Sequence, residues 1–429
     1  MKHFKSFLAL CIITSTLVSC SDDETSETGN GTDITQAAVI ENYANIVYSS
    51  YKETYDSAVE MQTKIDAFVT APSENTFTAA KDAWLVARDF YGQTEVYRGS
   101  NGPVDFEGSE TWAINNEGQL NAWPLDEGYI DYVKTGTEAY AGDFGGGIIA
   151  GDQAITKMLL SDKNEGGGSI DGDAAGKAIS TGWHAIEFLL WGQDETLPSE
   201  KKAGLRPYTD YDVTTQPLKT AQAGPSVSNQ DRRGEYLKVV TELLVDDLKL
   251  LVDTWVDGGQ YNQVFLGLGK EDALKNIILG PHFLASEELS NERMLASATS
   301  DVGIDNSGQE DEHSCFSDNT HRDIYTNALG IMNVLFGNYQ DGSIEGASIY
   351  DLVKQEDEAQ AAKLKAAADK AWAAIVLIDN TAKAGTPYDL MIVNEGESNP
   401  GIVLDGNQDL LDLGDVISES VLKLGITLN

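Results

Sequence analysis

Four of the five histidines fall in three short segments: His184 in TGWHAIEFLLWGQD, His282 in LGPHFLASEELSNERM, and His313 and His321 in QEDEHSCFSDNTHRD. Each segment also carries carboxylates, and a His beside Glu is where a transition metal finds its nitrogen ligand. His184 and Glu187 stand three apart, a spacing that puts both on one helix face, close enough to share one ion. Around them Trp183, Ile186, Phe188, Leu189, Leu190 and Trp191 are apolar nearly all round, which predicts a buried helix and a buried pair. An unpaired carboxylate there is costly unless a metal or an Arg offsets it. A His–Glu pair can equally hydrogen-bond across helices and hold a bundle together, and on spacing alone that architectural role is the commoner one.

Other segments offer partners. Arg88 and Glu95 lie seven apart on one predicted face with Tyr91 between them, followed by Arg98, and Glu95 and Asp105 are candidates to approach His184. Asp126 and Glu127 sit near a helix start, where carboxylates are more often dipole partners than ligands. Ser286, Glu287, Glu288, Glu292 and Arg293 share a predicted helix, in which Glu288 and Glu292 repel unless something positive lies between them. The richest string supplies Glu310, Asp311, Glu312, His313, Ser317, Asp318, Asn319 and His321, with Ser317 or Asp318 expected to cap a helix beginning near Asn319. A calcium loop starting at Asp162 is rejected because it lacks an acid at its fifth position and a Glu at its twelfth.

The elements that must position these groups read as helices. Ile40, Tyr43, Ala44, Val47, Tyr51, Ala58, Met61, Ile65 and Phe68 recur at helical spacing between Ile34 and Thr70, and Phe77, Ala80, Trp84, Ala87, Tyr91 and Tyr97 do so between Glu74 and Arg98. Further helices are predicted over roughly 174–192, 232–257, 270–299, 319–337, 356–383 and 409–424. Strand signals are almost absent, so the class is all-α. Eight or more helices over about 400 residues suggest two bundles, with a boundary in the long loop before Asp231 and domains over 34–230 and 231–429.

The first residues give a location. Lys2 and Lys5 precede an apolar run from Phe7 to Val18, too short to span a bilayer permanently, and LVSC reads as a lipobox. Residues 1–19 are thus expected to leave as a signal peptide, with Cys20 lipidated and residues 20–33 serving as a flexible acidic tether. That predicts an outer membrane lipoprotein, on the cell surface or the periplasmic face. Cys11 leaves with the signal and Cys20 is blocked, so Cys315 has no disulfide partner and no cysteine-type structural zinc site is expected. The 69 acidic against 29 basic residues leave a net charge of −40 and no basic stripe, which excludes nucleic acid as a general partner.

Five co-linear segments resemble the imelysin-like family: Gly182, His184 and Glu187 in the G-x-H-x-x-E pattern, RDFYGQTEVYRG with GPVD, NAWPLDEGYID, LASEELSNERM and EDEHSCFSDNT. The resemblance covers roughly residues 35 to 429. It implies two similar four-helix-bundle domains, an exported or lipid-anchored location, a site at the domain interface and a link to bacterial iron uptake. Iron or an iron carrier is then the expected ligand, with iron-transport proteins as partners and the membrane met only through the lipid. His184 and Glu187 would be ligands, Glu95 and Asp105 oxygen donors, and Arg88 or Arg293 compensating charge. Tyr91, Arg98, Ser286, Glu287, Glu312, His313 and Asp318 complete the candidate site.

Family members have been catalogued as metallopeptidases because of HxxE. HExxH would give two His ligands and a base on one helix, and the inverted HxxEH needs a second His where this chain has Phe188. A zinc peptidase remains the enzymatic alternative. It needs His282, His313 or His321 as third ligand and Glu287 or Glu312 as base. The other alternative is a structural or adhesive surface lipoprotein in which the His–Glu pair is architectural.

Overall fold

The computed structural model describes residues 33–133, 147–164, 178–214 and 229–428, apart from 302, 305, 306, 341, 394, 397 and 398. The signal peptide, Cys20 and the tether up to residue 32 lie outside the described residues, as do 215–228 of the long loop. The principal helices are α1 (Gln36–Thr70), α2 (Glu74–Gly92), α3 (Gly182–Trp191), α4 (Gln230–Trp255), α5 (Lys270–Phe283), α6 (Thr320–Phe336), α7 (Glu358–Lys383) and α8 (Ile402–Leu422). Short helical turns join them, and the only ladder among the described residues pairs β1 (Asn338–Tyr339) with β2 (Ile344–Glu345). The fold is all-α.

Local signals explain the starts. Thr35 accepts the Ala38 N–H at 3.2 Å to begin α1, and Ser73 with Thr76 forms a capping box at α2. Every apolar residue that set the α1 period is buried, so the face read from spacing is the face that packs. On α2 the period holds through Tyr91, but the helix stops at Gly92 and Glu95–Tyr97 form a separate 3-10 turn. The helix expected over 356–383 is α7, started by Asp357, whose carboxylate accepts the Gln360 N–H, and a separate short helix, Ile349–Glu356, precedes it.

α1 packs lengthwise on α2 and α4, and α3 packs on α4 and α2. A second group forms where α7 and α8 pack together, α8 covers the segment after α5, and α6 lies on α7. α5 and α6 also touch α1 and α2, so from Ile34 onward the chain is one compact unit. α4 begins at the boundary expected before Asp231, yet it packs with the first group.

After Phe283 the helix continues as a π-helix, Leu284–Leu295, wound with i→i+5 closure. The wider winding stacks residues five apart. Arg293 Nη2 donates to Glu288 Oε1 at 2.7 Å and Asn291 Nδ2 to the Ser286 carbonyl at 2.8 Å. Among the described residues no helix is long and apolar enough to cross a membrane.

Candidate functional site

Segments from both helical groups meet around Arg88 of α2, whose side chain is fully buried. Its Nε donates to Asp323 Oδ1 of α6 at 3.0 Å, and Nη2 donates to Oδ2 at 3.1 Å, the bidentate geometry that suits guanidinium to carboxylate. Nη1 donates to Asn121 Oδ1, while Nη2 also lies 3.1 Å from His313 Nδ1 and 3.4 Å from His184 Nε2. Two imidazoles, a carboxylate and an amide oxygen thus converge on one guanidinium. The His184 and His313 rings stand edge to face with centroids 4.7 Å apart, and the half-buried Trp123 lies 4.8 Å from His184.

His184 and Glu187 are buried on α3 and bonded to each other, Nδ1 to Oε2, at 2.9 Å. The other Glu187 oxygen accepts both the N–H (3.0 Å) and the hydroxyl (2.6 Å) of Ser317. Ser317 therefore does not cap α6 as the sequence suggested. Asn319 stands at the cap position without a side-chain cap bond, and Asp318 adopts a left-handed φ of 56°.

A second ring of charge adjoins the first. Asn121 Nδ2 donates to Glu95 Oε1 at 3.0 Å, and Arg293 Nη2 bridges Glu95 Oε2 (2.6 Å) and Glu288 Oε1 (2.7 Å). Arg98 pairs with Glu288 and lies 3.4 Å from Glu117. The positive charge that Glu288 requires beside Glu292 is thus Arg98 with Arg293.

The titration behaviour follows this pairing. Burial alone would raise Glu95, but Arg293, Arg98 and Arg88 hold it down at about 2. Burial likewise opposes ionisation of Asp323, yet Arg88 and His313 hold it well below the carboxylate range. Burial, then Arg88, pushes His184 well below its ordinary value, and burial with Arg293 pushes His313 to about 4, so both rings are neutral at neutral pH. Burial raises Glu187 to about 8 against the pull of the Ser317 bonds, with Asp323 adding to the rise.

A carboxyl with a raised folded pKa contributes stability that is present below its unfolded value and lost as pH rises through the folded one. Wild-type protein should therefore lose about 1–2 kcal/mol through Glu187 between pH 6.5 and 8.5. In the same window Glu117, raised to about 7, and Asp318, raised to about 8, act in the same direction. Glu187→Gln should flatten the slope of stability against pH in urea titrations at pH 6.5, 7.5 and 8.5. An unchanged slope would mean that Glu187 is ionised throughout.

Of the four residues read as metal ligands, His184 and Glu187 occupy each other and Glu95 is committed to Arg293 and Asn121. Asp105 stands elsewhere, accepting the Gly99 N–H at 2.7 Å. Among the described residues no three His, Cys, Asp or Glu side chains are disposed to hold a metal ion. The donor set around His184 does not fit a bare cation, because Arg88 already stands where its donors converge and Glu187 would first have to lose its proton. Arg88, Tyr91, Arg98, Arg293 and His313 do gather at this centre, the Tyr91 ring lying 5.3 Å from the Arg88 guanidinium.

Four candidates lie apart from it. Ser286 packs on Gly414 of α8, Glu287 is exposed, and Glu312 and Asp318 belong to a neighbouring group of acids. His282 is half-buried near Glu287 and Asp415, and His321 Nδ1 contacts the Asp318 carbonyl at 3.1 Å. The sequence reading missed Asp323, Asn121, Ser314 and Trp123. Ser314 Oγ donates to Asp323 Oδ2 at 2.6 Å. A cavity of about 580 Å³ opens by Asp126, Tyr129, Ile148 and Lys163, and none of its lining residues belongs to the cluster.

The family model Peptidase_M75, Imelysin, matches residues 47–399. The chain is 32% identical over 81 residues to iron-regulated protein A of Synechococcus elongatus, a match taking in 19% of this chain and only 20% of that protein's length. A Parabacteroides distasonis protein described as an iron-regulated protein A precursor has a similar solved structure, with a TM-score of 0.58 at 19% identity over 92% of this chain and 97% of that one. An imelysin-like protein from Psychrobacter arcticum aligns with a TM-score of 0.57 at 12% identity over 93% and 99%. At these identities the two structures establish the fold.

Proposed function

The chain belongs to the imelysin family, and from that premise we propose that it is an extracytoplasmic, lipid-anchored protein of iron acquisition that binds cargo and does not hydrolyse a substrate. The observation that carries this reading is the closure of the His184–Glu187 pair by its own neighbours. The carboxyl is bonded to His184 and Ser317, and Arg88 stands against the imidazole. A hydrolytic zinc centre needs ligands that face a common open position and a free carboxylate near it. Here His313 stands beside His184, but its Nδ1 faces Asp323 and Arg88. Of the two candidate bases, Glu287 is exposed and Glu312 lies in another cluster.

The link to iron is supported by the names of the relatives, and the location by the lipobox at Cys20. A bare ion at His184 and Glu187 would have to displace a guanidinium bonded bidentately to Asp323. An iron carrier brings its own ligand shell and would meet the centre only at its partly exposed edge, at Trp123, leaving the Arg88–Asp323 pair in place, so a carrier is the cargo this edge suits. Trp123, half-buried against the His184 ring, connects the centre to solvent and is the natural first contact. Iron-transport proteins are the partners such a carrier-binding lipoprotein would serve.

The test is ferric citrate binding and peptide cleavage by wild type, His184→Ala and Glu187→Gln. We expect wild type to bind ferric citrate, His184→Ala to bind at least tenfold more weakly, and no protein to cleave peptides. Chelator-sensitive cleavage by wild type that disappears in both variants would establish the peptidase instead.

A further inference from the structure

The cavity of about 580 Å³ is lined by two short stretches of chain, 126–129 and 147–153, together with Lys163. The two stretches pack directly on each other, and bonds from outside the lining fix them. Arg232 of α4 donates from Nε to the Ile149 carbonyl at 2.7 Å, and from Nη2 to those of Ile148 at 3.3 Å and Gln153 at 2.9 Å. One guanidinium therefore pins the whole 148–153 turn. On the other side the Tyr129 hydroxyl donates to the Lys163 carbonyl at 2.8 Å. The walls meet at Gly147, whose φ is 54° and where a Cβ would collide with the Tyr129 carbonyl. The cavity is thus preformed, and its volume falls among those of small-molecule sites.

Its chemistry is mixed. Asp126 and Asp152 bring carboxylates, Lys163 an ammonium and Gln153 an amide, while Gly128, Gly147, Ala150 and Gly151 leave backbone within reach. A carboxylate accepts, an ammonium donates and an amide does both. A ligand that answers all three carries donors and acceptors side by side, as a hydroxyl does. Two acids against one lysine do not suit a polyanion, and a net charge of −40 repels one at long range. Nor do the described residues gather three acids, His or Cys for a metal ion. The half-buried Tyr129 ring and Ile148 add an apolar face for C–H groups.

We infer that this cavity binds a neutral saccharide, a short oligosaccharide whose hydroxyls meet Asp126, Asp152, Gln153 and Lys163 and one of whose rings lies against Tyr129. A sugar combines the two surfaces the lining offers, clustered hydroxyls on its rim and C–H groups on its faces. Because Arg232 and the Tyr129 hydroxyl hold the walls in place beforehand, little ordering is left to oppose binding. This site goes beyond the iron reading and stands independently of it: it uses none of His184, Glu187 or Arg88.

The test is calorimetric titration of the full-length protein with maltotriose, cellotriose and chitotriose, and with dialanine and inorganic phosphate as probes of other classes. Wild type, Tyr129→Leu, Asp152→Ala and His184→Ala are compared. Asp152 is exposed, so its replacement leaves the fold intact, and circular dichroism checks Tyr129→Leu before titration. We expect saturable binding of at least one trisaccharide by wild type and His184→Ala, and at least tenfold weaker binding by Tyr129→Leu and Asp152→Ala. Binding of none of the three sugars, binding unchanged in both cavity variants, or binding of dialanine or phosphate in place of a sugar overturns the assignment. Sugar binding lost in His184→Ala but kept in the cavity variants would place the sugar at the Arg88 cluster and overturn it too.

Discussion

Arg88→Met should lower stability by about 3–5 kcal/mol, because it leaves the Asp323 carboxylate buried without its cation. Asp323 would keep the Ser314 hydroxyl and His313, neither of which carries charge at neutral pH, and Asn121 Oδ1 would lose its donor. The loss should be coupled. Replacing Asp323 by Asn in the same chain removes the stranded charge, so the double variant should be at least 2 kcal/mol more stable than the sum of the single effects implies. Urea denaturation followed by tryptophan fluorescence measures all three, with Trp183 and Trp123 reporting from within the cluster. Additive single effects would show that Arg88 and Asp323 do not compensate each other and would remove the reason for regarding this centre as closed.

The same pair shows what a sequence can and cannot disclose. Arg88, His184, Glu187 and His313 were recognisable singly, by residue type in an apolar or acid-rich setting. That Arg88 answers Asp323, 235 positions later, was not, because the pairing depends on how α6 crosses α2. Asp323 also sits two residues after His321 in a string full of acids, where nothing in its spacing distinguishes it. The helical faces were more legible: a period of 3.6 over α1 names its buried residues, since burial of an amphipathic stripe is decided locally. Between Leu284 and Leu295 that period misleads. There the π winding brings Glu288 onto Arg293 and Ser286 onto Asn291, five apart, and a 3.6-residue reading pairs Glu288 with Glu292 instead. Ser317 misled for a related reason. Its type and position suit a helix cap, and only the approach of α3 shows that its hydroxyl serves Glu187.

Gly182→Ala should be the second most damaging change, costing about 3–5 kcal/mol, and it explains the glycine two residues before His184. Gly182 starts α3 at a φ of 87°, where L side chains are strained by about 1–3 kcal/mol. A Cβ there would stand 2.4 Å from the Leu120 carbonyl oxygen and 2.9 Å from that of Gln119. Neither oxygen can swing aside as a side chain could. Gln119 O accepts the Thr181 hydroxyl at 2.9 Å, and next along the chain Asn121 connects Arg88 to Glu95. The added methyl must therefore push the start of α3 off the 117–121 turn, moving His184 away from Arg88 and Trp123. Gly385→Ala is the matched control, with a φ of 96° and no heavy atom within 4 Å of its Cβ, so it bears the backbone strain alone. The difference between the two losses in urea titrations isolates the contact with Leu120 and should be at least 1.5 kcal/mol, of the size that overpacking costs. Equal losses would mean that the turn yields freely and that the glycine is there for its torsion only.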